Sequence, residues 1–173
     1  MRIRGYMAAS ADGYIADREG GISWLDPFND VDAGYGAFIA GIGTVVMGRR
    51  TYDQVRTFGA YPYAAQRSII VTHRPIEAAP PGVEALREGV TSLIAQLRQT
   101  EGERDAWIVG GAALQAEFIA AGALDSLELF VIPVLLGDGV RMFPPSPFSR
   151  PLRLDGATAL GKGMVRLAYG LTP

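Results

Sequence analysis

Apolar residues along this chain fall into two spacings, and their alternation outlines an architecture. Residues 44–47, 67–71 and 106–109 are short runs dominated by apolar side chains, which is how strands buried on both faces read. Residues 3–9 form another, closed by the turn Ser10-Ala11-Asp12-Gly13, after which residues 14–16 resume an extended path. Between the runs, apolar positions recur at helical spacing. Asp32 caps or opens a predicted helix reaching Ile42, with Tyr35, Phe38, Ile39 and Ile42 on one face. Further helices are expected around residues 51–56, 91–99 and 112–121. Residues 86–89 carry no clear pattern, and Asp26-Pro27 reads as a break. Residues 127–136 are a long apolar run. Residues 152–159 and 164–171 flank Gly161-Lys162-Gly163 as a hairpin. The expected fold class is therefore α/β: a mostly parallel central sheet with helices on both faces and an antiparallel C-terminal hairpin.

Two strand-to-helix junctions carry candidate chemistry. In the first, residues 45–47 lead into Gly48, Arg49, Arg50 and Thr51. A glycine lets the backbone approach a ligand, and the unpaired N–H groups of the following helix favour an anion. The two arginines and the threonine add donors suited to a phosphorylated dinucleotide. In the second, residues 106–109 end in Gly110-Gly111 before Ala112, Ala113 and Leu114, where adjacent glycines allow close contact with a diphosphate. Neither junction contains the G-x-G-x-x-G fingerprint of the Rossmann fold.

Composition narrows the alternatives. With 173 residues, the chain has the length of a single domain, 1–173, and is long enough to bury about 70% of its unfolded surface. A net charge of −2 argues against a nucleic-acid partner and for small molecules. No run approaches the roughly 18 apolar residues of a membrane span, so no membrane partner and a cytoplasmic location are expected. With no cysteine and a single histidine, His73, the chain offers neither a thiolate metal site nor a zinc deaminase module, and no metal is expected.

Four segments in order resemble the dihydrofolate reductase-like superfamily, most closely stand-alone proteins related to the reductase domain of the bacterial riboflavin-biosynthesis deaminase/reductase. They are Met7-Ala8-Ala9-Ser10-Ala11-Asp12-Gly13-Tyr14-Ile15-Ala16, Val46-Met47-Gly48-Arg49-Arg50-Thr51-Tyr52, Ile108-Val109-Gly110-Gly111, and the run from Leu127 through Pro133 to Gly139 with Phe143-Pro144 beyond it. The resemblance implies a three-layer fold and hydride transfer from NADPH to a pterin-like or pyrimidine-like heterocycle, including the 5-amino-6-(5-phosphoribosylamino)uracil reductase type. Alternatives are an NADP-binding protein without turnover and an interaction protein on a reused fold. The stand-alone proteins it resembles commonly pair through the C-terminal edge, which implies a homodimer.

The resemblance also assigns residues. Ala9, Ile15, Gly48, Arg49, Arg50 and Thr51 would meet the cofactor, with Thr72, His73 and Arg74 at a second adenosine-phosphate position and Gly110, Gly111, Ala112, Ala113 and Leu114 around the diphosphate and ribose. Trp24 and Leu25 would lie in a loop closing over substrate, beside the mobile residues 17–21. Asp32 resembles the pterin-binding acid, and burial in an apolar pocket would suit it to proton relay by raising its pKa. Its other reading is a helix cap. Asp12 is the rival carboxylate, placed for either substrate contact or a turn. Phe130 stands near the position of the family's threonine partner to the acid. No basic residue lies between Arg18 and Arg49, which suggests an acceptor that is uncharged or weakly polar.

Overall fold

The apolar runs become strands because the sheet they build is covered on both sides. In the computed structural model, which describes residues 1–171 except 101, 103 and 148, the strands are β1 (Ile3–Ser10), β2 (Tyr14–Ala16), β3 (Ile42–Gly48), β4 (Arg67–Val71), β5 (Val83–Leu86), β6 (Asp105–Gly110), β7 (Ser126–Ile132), β8 (Val140–Arg141), β9 (Leu152–Ala159) and β10 (Val165–Leu171). The helices are α1 (Tyr35–Ala40), α2 (Arg49–Val55), α3 (Val90–Gln99) and α4 (Ala112–Ala120), with a 3-10 turn over Ser23–Phe28. The main sheet runs β5-β4-β3-β6-β1-β7-β10-β9. Pairs from β5 to β7 are parallel, whereas β10 is antiparallel to both β7 and β9. The expected α/β class with its antiparallel C-terminal edge is the observed one.

Alternate residues of each central strand feed different cores. Val46, Ile69 and Ile108 join Leu93, Leu97, Leu114 and Phe118 of α3 and α4. Val45, Met47, Ile70 and Trp107 join Phe38 of α1 and Tyr52 and Val55 of α2 on the opposite face. Each fully buried side chain of this size contributes about 1.5–3 kcal/mol. A third cluster lies at the C-terminal ends of β1 and β7, where Trp24, Leu25 and Phe28 of the 3-10 turn pack on Phe130, Ile132 and Met164.

Several local expectations are corrected. The helix expected from Asp32 to Ile42 begins only at Tyr35, because the Asp32 carboxylate turns back to accept the Gly34 N–H at 2.8 Å and Gly34 adopts φ +74°. Ile42 belongs to β3, where it pairs with Asp105 and is completely buried. Asp26-Pro27 does not break the chain; both residues lie inside the 3-10 turn, whose φ suits proline. The strand in the long run stops at Ile132, since Pro133 has no N–H for the ladder. Two strands had no clear signal. Val83–Leu86 pairs only with β4 at the sheet edge, and Val140–Arg141 makes a separate two-stranded sheet with β2.

Candidate active site

The parallel register brings the two glycine junctions together. Val46 pairs with Ile108 and Met47 with Gly110, so β3 and β6 end side by side and each passes directly into a helix. A Cβ built on Gly48 would lie 3.9 Å from both the Gly110 carbonyl oxygen and the Gly111 nitrogen; one on Gly111 would lie 3.5 Å from Thr51 Oγ1. The floor between the junctions is thus backbone plus one hydroxyl. Gly110 has φ +137°, a conformation that favours glycine, and the Gly110–Gly111 peptide is cis.

On the next strand, Gly48 pairs with Val71, which places Thr72, His73 and Arg74 at the same end of the sheet. The buried Thr72 hydroxyl accepts the Arg74 N–H at 3.1 Å. Arg49 ties the two segments, donating to Asp53 at 2.7 Å and to the Pro75 carbonyl at 2.8 Å. Arg50 and Arg74 are exposed and have no carboxylate partner among the described residues. His73 is an exposed loop residue. Leu114 and Ala9 are buried in the core beneath α4, with Ile15 packed against it, while Ala112 is buried and Ala113 exposed at the start of the helix.

The residues expected on the acceptor side separate into two groups. Asp12 faces the loop after β7: its carboxylate accepts the Ser10 hydroxyl at 2.6 Å and the N–H groups of Leu136 and Gly137 at 3.1 and 2.7 Å. These bonds, the Ser10 hydroxyl first, bring its pKa down to about 2. Asp12 therefore sits as a tie between two loops. Trp24 and Leu25 cover Phe130, itself 1% exposed, and the Trp24 indole Nε1 is buried with no hydrogen-bond partner among the described residues.

Asp32 lies between Val31 and Ala33, which pack on that same cluster, but it is itself exposed rather than enclosed in an apolar pocket. It lines a cleft of about 400 Å³ with Ala33, Gly34 and Phe38 on one side, Thr158 and Leu160 on the other, and Arg4, Glu128 and Arg166 also lining it. Glu128 accepts Arg4 at 2.8 Å and Arg166 at 2.6 and 2.7 Å. Tyr6, beside them, stacks on Phe38 at 4.3 Å and donates its hydroxyl to the Ala33 carbonyl at 3.0 Å; burial pushes its pKa up. The cleft nonetheless has basic residues in its lining. The stretch between Arg18 and Arg49 holds none, but strand pairing delivers Arg4 and Arg166 from β1 and β10. A charge inside an otherwise apolar run, Glu128 between Leu127 and Leu129, was the available signal.

This sheet order, with α-helices on both faces and paired glycine junctions at the strand ends, defines a dihydrofolate reductase-like reductase fold. The chain belongs to the RibD C-terminal domain family, whose sequence model matches residues 3–166. It is 36% identical to the uncharacterized protein YwjB of Bacillus subtilis over 166 residues, covering 95% of this chain and 94% of that one. A crystal structure from Shewanella sp. PV-4, provisionally assigned to riboflavin biosynthesis, superposes with a TM-score of 0.88 at 26% identity over the whole of both chains. Dihydrofolate reductase of Enterococcus faecalis, solved with NADP(H), shares the fold at a TM-score of 0.71 and 21% identity, covering 99% of this chain and 97% of that one. Among the described residues, no helix is long and apolar enough to cross a membrane.

Proposed function

We propose that this protein is an NADPH-dependent reductase of a pterin-like or pyrimidine-like heterocycle. The observation that carries the reading is the pair Arg50 and Arg74, two arginines without carboxylate partners beside a side-chain-free floor of three glycines. The residues fit the cofactor. Gly48, Gly110, Gly111 and the Thr51 hydroxyl would hold the diphosphate at the helix starts, and Arg50 and Arg74 the ribose 2′-phosphate. Bound NADPH would supply the hydride. Trp24 and Leu25 would exclude water over the reacting ring, and Asp32 would pass a solvent proton to a ring nitrogen. Asp32 is exposed, so solvent reaches its carboxylate directly.

A homodimer through β9 accompanies this reading. All eight residues of that edge strand are exposed, Leu152 and Leu154 among them, and an edge of this length is a template for pairing.

The test is a calorimetric titration with NADPH and with NADH, on the wild type and on the Arg50→Ala/Arg74→Ala double variant. Micromolar NADPH binding and much weaker NADH binding are expected for the wild type. At about 1.5–3 kcal/mol per charged hydrogen bond, the double variant should lose roughly two to four powers of ten toward NADPH and little toward NADH. Absence of binding by either dinucleotide would sink the reductase reading.

A further inference from the structure

On the face of the sheet that α3 and α4 cover, beside the last strands, lies a second cavity of about 330 Å³. Adjacent residues of β7 separate it from the acceptor cleft: Glu128 lines the cleft and Leu127 this cavity, because neighbouring side chains of a strand point to opposite faces. Ala116 and Ile119 of α4 form one wall, Leu152 of β9 and Leu171 of β10 another. Phe143, Pro144 and Ser146 make the third side, where Pro144 and the following Pro145 fix φ and stiffen the wall. Phe143 and Leu152 stand 47% and 41% exposed, apolar surface whose covering is favourable.

Among the described residues lining this cavity, Arg150 alone is charged. It is half-buried and donates from Nη2 to the Ala120 carbonyl at 3.0 Å. Its guanidinium lies over Gly122, where an added Cβ would stand 3.1 and 3.3 Å from Nη2 and Nη1, and it has no carboxylate partner among the described residues. A cation at a helix C-terminus is favourable in itself, but capping needs neither burial of the cation nor a cavity beside it. Partly withdrawn from water and flanked by apolar walls, an unpaired guanidinium binds an anion more strongly than an exposed one does. We propose that this cavity is a second ligand site, which takes a small carboxylate with an apolar body. The carboxylate meets Arg150, and the body lies against Ala116, Ile119 and Leu127. Size selects a small molecule rather than a folded partner, since this volume is at the lower end of the roughly 300–1,000 Å³ of small-molecule sites. Ala116 is about one helical turn beyond Ala112, so this ligand and the proposed diphosphate site meet the same helix.

The test uses hexanoate and, as its uncharged counterpart, hexanol. Each is titrated into the whole protein at constant ionic strength while the amides of Ala116, Ile119 and Leu171 are followed by NMR. Saturable hexanoate shifts with a Kd on the order of 1 mM are expected, with hexanol about tenfold weaker. Arg150→Gln should reduce hexanoate to the level of hexanol and leave hexanol unchanged, whereas Ala116→Leu, which narrows the cavity, should weaken both. No saturable shift up to about 30 mM, shifts confined to other residues, or equal hexanoate affinity in the wild type and Arg150→Gln overturns the site. If Arg150→Gln does not fold for want of its helix cap, the ratio of hexanoate to hexanol affinity in the wild type and the effect of Ala116→Leu decide the question. Sedimentation of the same samples tests the other occupant: hexanoate that converts dimers into monomers would show that a second copy covers the cavity, and the proposal would fail. No readout involves a dinucleotide, so the outcome is independent of the reductase reading.

Discussion

Gly137 donates its backbone N–H to the Asp12 carboxylate at 2.7 Å, joining the turn after β1 to the loop after β7. Leu136 and Ser10 bind the same carboxylate, and together they hold its pKa near 2, below the value of about 3.9 in an unfolded chain. The sign follows from linkage: a depressed carboxylate stabilises the folded state fully above the unfolded pKa, and that contribution disappears as pH falls through the folded one. Asp12→Asn is therefore expected to lower the melting temperature at pH 7 and to narrow its gap from the wild type between pH 4 and pH 2. Thermal denaturation across that range checks it; a gap independent of pH would show that the charge is not what ties the loops.

Gly48 separates folding from cofactor binding. With φ −74° and ψ 164° it occupies extended backbone open to any residue, and an added methyl would make only ordinary contacts at 3.9 Å with Gly110 and Gly111. Gly48→Ala should keep stability within about 0.5 kcal/mol of the wild type. The methyl would nonetheless stand on the floor assigned to the diphosphate, so NADPH affinity should fall by about tenfold or more. Urea denaturation and calorimetry on the same sample decide it, and unchanged affinity would move the diphosphate away from this junction.

Gln115 is completely buried in α4, and neither amide atom has a hydrogen-bond partner among the described residues. It faces β1, where a Cβ on Gly5 would lie 3.6 Å from its Oε1. Unpaired buried polar groups cost about 1–3 kcal/mol each, so the near-isosteric Gln115→Met should raise unfolding free energy by about that amount. Destabilisation instead would reveal a buried water serving the amide.

What the sequence disclosed tracks what sets each feature. Strands β3, β4 and β6 were legible because burial on both faces demands apolar runs, and the glycine junctions because each is contiguous in the chain. Edge strand β5 and the two-residue β8 carry no such demand, so their residues show no clear strand pattern. The expected apolar surroundings of Asp32 are not the observed ones. An exposed carboxylate closing its own turn on Gly34 has the same local sequence as one capping a helix. The charged cleft was hidden for a different reason: Arg4, Glu128 and Arg166 meet through the lateral register of β1, β7 and β10, and the one local trace of that meeting is Glu128 inside an apolar run.

That long-range register also places the hairpin turn against the segment carrying Trp24. Lys162, at φ +57° in the turn between β9 and β10, donates to Asp30 at 2.5 Å and to the Pro27 carbonyl at 2.6 Å. On the other side, Gln54 of α2 donates to the Gly20 carbonyl at 2.9 Å. The 3-10 turn between these points is thus held by a hairpin at one end and by the helix that starts at Arg49 at the other. Lys162→Met removes one tie without touching the apolar contacts of Trp24, Leu25 and Phe28. Amide exchange of residues 23–28 should then speed severalfold while β3 and β6 remain protected, as expected for local opening rather than global unfolding. If exchange in the segment does not change, packing on Phe130 and Ile132 alone holds it closed, and the hairpin turn has no part in its motion.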